Sequence, residues 1–165
     1  MRVTSPAAGS TFDLPPSPRV VSLVSSATEV LFALGAGDLV VGVTPYCGRY
    51  VEGLAAPVVA DYLDADLEAL RAARPDLVVA CDGVQLPLAR RLAAEGLPVY
   101  VLPVPASRFG LLENALQLGA LTGRVGAARA LCDRLEREAA ALQAAAPARR
   151  PRVYAELWFG RHARR

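Results

Sequence analysis

The chain has 165 residues, which suits one domain with a short addition and is too short for two full domains. Hydrophobic residues make up 53% and charged residues 21%, a composition that excludes a disordered chain and indicates a buried core. The formal net charge of +2 gives no support for nucleic-acid binding, and the arginine-rich stretch at residues 149–165 is interpreted as a solvated basic tail.

Residues 1–18 are rich in Pro, Ser and Ala and are predicted to form a flexible lead-in. After them, short apolar runs alternate with segments of helical periodicity. Strands are predicted at residues 19–24, 39–43, 58–60, 77–80 and 99–102. Helices are predicted at residues 26–34, 66–73, 86–95 and 108–121. This alternation is typical of an α/β fold, here a Rossmann-like lobe whose parallel sheet is flanked by helices.

A longer element is predicted at residues 125–146, where apolar residues recur at three- and four-residue steps, as in an amphipathic helix. Residues 152–158 are predicted as the first strand of a truncated second lobe. The expected domains are therefore a flexible segment (1–18), a ligand-binding lobe (19–124), a long linking helix (125–146) and the start of a second lobe with a basic tail (147–165).

The long helix is expected to expose three leucines, Leu131, Leu135 and Leu142, which a complete second lobe would cover. Exposed apolar patches favour association between proteins. The chain is therefore expected to self-associate through this helix.

The turn between the first predicted strand and helix carries no glycine fingerprint, and the chain contains no Lys for a phosphate-binding loop. Ser25 or Ser26 is predicted to cap the helix, with Glu29 completing a capping box. The only histidine, His162, lies in the tail, so the body of the chain offers no base for a nucleophilic serine. An enzyme is not expected, and a Rossmann-like enzyme acting on a nucleotide or sugar stays as an alternative.

The three cysteines, Cys47, Cys81 and Cys132, match no zinc spacing and are predicted to be free thiols, so no metal site is expected. The first residues contain no apolar segment of the kind that a secretion signal requires. As written, the chain is expected to be cytoplasmic.

Two loops that follow predicted strands carry tyrosines: Tyr46 and Tyr50 in one, Tyr62 in the other. Both loops should lie on the same rim of a parallel sheet. The rings could stack on a large flat ligand, or each could pack on its own loop, and both readings stay open. Glu68, in the first turn of a predicted helix, could stabilise the helix dipole or dock on an arginine of a partner.

From residue 19 to about residue 158 the sequence resembles the periplasmic substrate-binding proteins with a helical backbone (class III), which serve ABC importers of cobalamin, ferric siderophores and haem. No single segment is specific, but the combination in this order is. The segments that carry the resemblance are RVVSLVSSATEVLFALGAGDLVVGV (19–43), VVADYLDADLEALRAARPDLVVA (58–80), GLPVYVL (96–102) and ENALQLGALTGR (113–124).

The resemblance implies two lobes joined by a long helix, with a ligand in the cleft between them and no intrinsic cofactor. The cobalamin-binding branch is nearest, because Tyr46 and Tyr62 fall where its cleft aromatics lie, and Asp82 and Gln85 could also line the cleft. Glu68 falls where this family's first-lobe glutamate contacts the permease.

A haem-binding receptor ranks second, with Tyr62 as the iron ligand, and a ferric siderophore receptor ranks third, because arginines at matching positions are not evident. An orphan lobe that binds partners and no ligand is a further alternative. The resemblance implies a periplasmic or cell-surface location, which conflicts with the absence of an export signal.

Overall fold

The computed structural model describes residues 1–147, 149 and 152–154. Its strands are β1 (Arg2–Ser5), β2 (Ser10–Asp13), β3 (Val20–Ser22), β4 (Val40–Val43), β5 (Leu77–Cys81) and β6 (Val99–Leu102). Its helices are α1 (Ser25–Ala33), α2 (Leu67–Ala73), α3 (Leu86–Ala94), α4 (Arg108–Leu121) and α5 (Val125–Ala144). Short 3₁₀ turns lie at Gly37–Leu39, Cys47–Arg49 and Gly83–Gln85.

Four strands form a parallel sheet in the order β4-β3-β5-β6. Every residue of β3 and β5 is buried, as expected for central parallel strands covered on both faces. Core residues of α1, α4 and α5 pack on one face, and those of α2 and α3 pack on the other. The α/β fold with a helix-flanked parallel sheet is thus confirmed. The strand predicted at residues 58–60 is reduced to isolated bridges, one of them between Val43 and Val58.

The expectation of a flexible segment at residues 1–18 is wrong over β1 and β2, which pair as an antiparallel hairpin. The side chain of Ser5 is buried, and its Oγ accepts a hydrogen bond from the backbone N–H of Val101 in β6 at 3.0 Å. Arg90 of α3 donates to the Ala7 carbonyl at 3.0 Å. Residues of β1 alternate between exposed and buried, but one of the two buried residues is the polar Ser5, so the sequence shows no alternation of apolar residues. The hairpin thereby covers the edge strand of the sheet.

The capping box predicted at the start of α1 is also wrong. The residue before the helix is Val24, and it makes no side-chain cap. Instead, the Thr28 hydroxyl turns inward and lies 2.8 Å from Ser22 Oγ and 3.0 Å from Cys47 Sγ. Thr28 therefore joins strand, helix and loop in a buried polar cluster. Asp66 caps α2, since its carboxylate accepts from the backbone N–H of Glu68.

The long helix α5 has 20 residues and divides into two halves. In the first half Ala128, Leu131 and Cys132 are buried, and α4 approaches so closely that a Cβ added at Gly119 would collide with Ala128. The expected exposure of Leu131 is therefore wrong.

In the second half of α5 the same stripe is bare, with Leu135 37% and Leu142 75% exposed. Exposure of these two leucines agrees with the sequence-based expectation. Of the strand predicted at residues 152–158, residues 152–154 are not in a strand, and the rest lies outside the described residues. Within the part of the chain that the structure describes, no helix is long and apolar enough to cross a bilayer.

Candidate functional site

The carboxyl ends of β3 to β6 point to one edge of the sheet, and large apolar side chains stand exposed after them. Their exposed fractions lie between 38% and 65%. We call this set the apolar rim, and its members are Tyr46, Tyr50, Tyr62, Leu63, Val84 and Val104. In open α/β sheets this edge is where ligands bind.

Two of the predicted tyrosines meet. The rings of Tyr46 and Tyr62 are 6.2 Å apart between centroids and 80° apart in plane, an edge-to-face pair. The 3₁₀ turn Cys47–Arg49 also brings the Arg49 guanidinium to 5.4 Å from the centre of the Tyr46 ring. Tyr50 follows that turn and, among the described residues, makes no ring contact with either tyrosine. The structure therefore brings two of the three predicted aromatics together and adds a cation beside them.

Gln85 does not line the rim, contrary to the sequence-based prediction, because its side chain is fully buried. Its Nε2 donates to the carbonyls of Leu23 at 3.0 Å and Tyr62 at 2.9 Å. Its Oε1 accepts from the backbone N–H of Cys81 at 3.0 Å. The amide thus occupies the space between the ends of β3 and β5, beneath the rim.

Asp82 lies at the rim end of β5 and is half-buried. Its carboxylate accepts from the backbone N–H of Val104 at 2.7 Å, and its own N–H donates to the Leu102 carbonyl at 2.9 Å. Asp82 therefore fastens the loop after β6 and places Val104 on the rim. A direct contact between Asp82 and a ligand stays a prediction.

The phenol of Tyr62 lies beside the buried thiol of Cys81. Burial, followed by the neighbouring thiol, raises the pKa of the Tyr62 phenol above its usual value. Burial also raises the pKa of Cys81, and this outweighs a hydrogen bond with Tyr62 that acts in the opposite direction. Both groups therefore keep their protons to a higher pH than they would in the unfolded chain.

A shallow depression of about 490 Å³ lies next to both tyrosine loops and is lined by Pro45, Val59 and three aspartates, Asp61, Asp64 and Asp66. The aspartates are already engaged. Asp64 pairs with Arg91, whose guanidinium holds the pKa of that carboxyl below its usual range, and Asp66 caps α2. Among the described residues, no group of three or more His, Cys, Asp or Glu side chains is placed to hold a metal ion.

Glu68 is exposed in the first turn of α2, beyond the acidic depression. Among the described residues it forms no ion pair, whereas Glu95 nearby is engaged with Arg71. The carboxylate is therefore accessible to a partner, and its role in docking stays a prediction.

Sequence reasoning missed Arg49 and the aliphatic members of the rim, Leu63, Val84 and Val104. The signal that could have found the aliphatic members is the same as for the tyrosines, namely an apolar residue directly after a strand. Arg49 follows Tyr46 by three residues, a spacing that a single helical turn brings onto one face.

The chain matches the family described as periplasmic binding protein over residues 20–163. It is 34% identical to a cobalamin-binding protein of Halobacterium salinarum over 96% of this chain and 45% of that protein. The structure matches the periplasmic haem-binding protein HutB of Vibrio cholerae with a TM-score of 0.71 and 26% identity, covering 82% of this chain and 52% of that one.

A further solved structure, the periplasmic vitamin B12-binding protein BtuF of Vibrio cholerae, matches with a TM-score of 0.69. It covers 78% of this chain and 51% of that one, and at 22% identity it shows the shared fold alone. The chain thus spans about half the length of the relatives it matches.

These relatives are named as binding proteins and not as enzymes. The expectation of a cytoplasmic protein is wrong, because the matched family consists of periplasmic binding proteins. The resemblance inferred from the sequence is confirmed, since a family match over residues 20–163 covers most of the chain. The chain belongs to the periplasmic binding protein family.

Proposed function

We propose that this chain is the first ligand-binding lobe of the substrate-binding component of an ABC importer and that its ligand is cobalamin or a related corrinoid. The observation that carries the proposal is the apolar rim, in which Tyr46 and Tyr62 form an edge-to-face pair. A surface of this kind can hold a large ligand by stacking and shape, with little charge. The similarity to the cobalamin-binding protein of Halobacterium salinarum, which extends over nearly the whole chain, supports the same ligand.

Haem is the second candidate, and the similarity to the haem-binding protein of Vibrio cholerae favours it. In this alternative the Tyr62 oxygen would bind the iron. Iron ligation by a tyrosine requires loss of the phenolic proton, and burial beside Cys81 raises the pKa of Tyr62 and opposes that loss. A ferric siderophore is third. Among the described residues, Arg49 is the cation next to the tyrosine pair, and its guanidinium already lies against the Tyr46 ring.

Titration of the purified chain with aquocobalamin and, separately, with haemin tests the choice. If the ligand is cobalamin, Tyr62→Ala should weaken binding by about 0.5–1.5 kcal/mol, the value of an aromatic contact. If the ligand is haem, Tyr62→Phe should abolish the charge-transfer absorption of an iron–tyrosinate. Tyr100→Phe is the matched control, because Tyr100 lies on β6 away from the rim and its hydroxyl donates to Gln117 of α4.

Three outcomes would contradict the cobalamin proposal. Binding of haemin alone would favour the second candidate. If nucleotides raise the melting temperature of the chain and neither aquocobalamin nor haemin does, a Rossmann-like enzyme would be favoured instead. Failure of every ligand to bind a folded sample would favour an orphan lobe with an interaction role.

Docking on the permease is proposed to use Glu68. Its support is position and access: the carboxylate is exposed at the start of α2 and is engaged by none of the described cations. Cells that depend on this binding protein for ligand uptake provide the assay. Glu68→Arg should reduce uptake while ligand affinity is retained, and Glu113→Arg, an exposed glutamate on α4, should have little effect. Equal uptake by both variants would remove Glu68 from the docking surface.

Self-association is proposed to use the second half of α5. The support is the bare stripe that continues from the buried Leu131 to the exposed Leu135 and Leu142. Exposed apolar surface of this kind favours contact between copies of a chain.

A further inference from the structure

The crevice between β3 and β5 is the point where the chain changes direction across the sheet, because β4 lies on one side of β3 and the later strands lie on the other. Open α/β proteins usually bind ligands in this crevice. Here the amide of Gln85 fills it. Gly83, with φ of 69°, begins the 3₁₀ turn that brings Gln85 under the rim.

The amide of Gln85 is fully used. Its two N–H groups donate to two carbonyls, Leu23 at the end of β3 and Tyr62 on the rim. Its oxygen accepts from both the backbone N–H and the thiol of Cys81, at 3.0 Å and 3.3 Å. A buried amide with all its groups paired favours one arrangement of the segments that it joins.

Tyr62 is tied through this amide to the core of the sheet as well as to its own loop. Its N–H bonds the adjacent Asp61 carboxylate, which is a local contact. Its carbonyl bonds Gln85, which ties the residue to the core of the sheet. Tyr62 is itself 39% exposed, so packing alone holds it loosely.

We propose that Gln85 is a positioning residue, which holds Tyr62 against Tyr46 at the height where a ligand meets the rim. This inference rests on the proposed function, since it assigns Gln85 a role in ligand affinity without contact with the ligand. In nucleotide-binding folds the ligand enters the crevice between the two central strands. Here the Gln85 side chain fills the crevice between β3 and β5, and the ligand would bind above it.

Gln85→Met tests the proposal, because it keeps the length of the side chain and removes every hydrogen bond of the amide. Aquocobalamin affinity is expected to fall about tenfold, as the Tyr62 carbonyl loses its buried donor. The alkaline absorbance titration of Tyr62, identified by subtraction of Tyr62→Phe, is measured in a Cys81→Ala background, because Gln85 also bonds the Cys81 thiol. It is expected to shift, because the burial of the phenol changes when the Tyr62 loop moves. Gln117→Met, which makes the same chemical change on α4, is expected to alter neither measurement.

The two measurements separate positioning from a merely structural role. A loss of affinity with an unchanged Tyr62 titration would overturn the proposal, and so would a shifted titration with unchanged affinity. If the unmodified chain binds no aquocobalamin, the proposed function fails. An unchanged Tyr62 titration in Gln85→Met would then overturn the positioning role independently.

If Gln85→Met does not fold, hydrogen exchange at the Gln85 side-chain amide of the unmodified chain provides the test. Exchange is expected to slow when aquocobalamin is bound. The ligand would hold Tyr62 in place, so the hydrogen bond from Gln85 Nε2 to the Tyr62 carbonyl would open less often. Equal exchange in the free and bound chain would overturn the proposal.

Discussion

The α4–α5 interface and the apolar rim arrange polar and apolar groups in opposite ways. At the interface Leu112 and Leu131 are buried, while Arg134 and Glu138 face outward as an ion pair. At the rim the apolar groups are outside, and the polar amide of Gln85 is buried beneath them. Burial of apolar surface stabilises a fold, whereas apolar surface left exposed has not contributed to folding and is available for binding. The difference indicates that the surface that stabilises this lobe is separate from the surface that is proposed to bind ligand.

The largest expected contrast comes from truncating one leucine in each region. Leu131→Ala removes buried side-chain volume at the interface and should lower the free energy of unfolding by about 2–5 kcal/mol. Leu63→Ala makes the same change on the exposed rim and should alter it by no more than about 0.5 kcal/mol. Unfolding in urea measures both. Equal losses in the two variants would mean that the two regions are not separate in this way.

A smaller contrast concerns the close approach of the two helices. Gly119→Ala should destabilise the fold by about 1–3 kcal/mol, because the added methyl collides with Ala128. Gly126→Ala, where the new Cβ meets open space in α5, should be neutral or stabilise by up to about 1 kcal/mol. Thermal unfolding of the two variants provides the measurement. A stabilised Gly119→Ala variant would show that α4 and α5 do not meet closely.

The second half of α5 carries the interface stripe into solvent and should therefore behave as the rim does. Leu142→Glu is expected to lower the association constant between copies of the chain by up to about tenfold. The free energy of unfolding should not fall, because the Leu142 side chain is exposed. Sedimentation over micromolar concentrations measures this, and Leu111→Glu on α4 is the control. A clean monomer of the unmodified chain would rule out self-association through α5.

The smallest expected effect is on the free energy of unfolding at alkaline pH. The pKa of Tyr62 and that of Cys81 are both raised in the folded chain, chiefly by burial. Their neutral forms therefore stabilise the folded state fully below their unfolded pKa values, and this stability is lost as the pH rises through the folded values. Tyr62→Phe should make the alkaline fall in unfolding free energy shallower while leaving neutral-pH stability nearly unchanged. An identical fall in both proteins would contradict the raised pKa of the Tyr62 phenol.

The fold could be predicted because apolar runs and helical periodicity are local patterns. The cap at Asp66 and the end of α1 at Gly35, which has φ of 67°, follow from such local rules. The hairpin at the start of the chain was missed, since its partner β6 is about a hundred residues away and composition gives no sign of it. Leu131 was expected to be exposed because the sequence does not tell how far along α5 the neighbour α4 extends.

The site was predictable in part. Their positions directly after strands were enough to predict that Tyr46 and Tyr62 share one rim. The same rule failed for Gln85, because the sequence does not show whether a glutamine side chain is buried or exposed. The location was expected wrongly, since it was inferred from the first residues of the chain. The ligand and the docking role of Glu68 stay proposals, because each depends on a partner that the chain alone does not contain.

The hairpin at the start of the chain has a consequence for the order of events during synthesis. Ser5 and its partner Val101 are separated by 96 residues, so β6 emerges about 5–20 s after the hairpin at ordinary translation rates. A two-stranded hairpin forms within microseconds but is only marginally stable by itself. The hairpin can therefore begin to form before β6 exists, and each stabilises the other once β6 takes its place at the edge of the sheet.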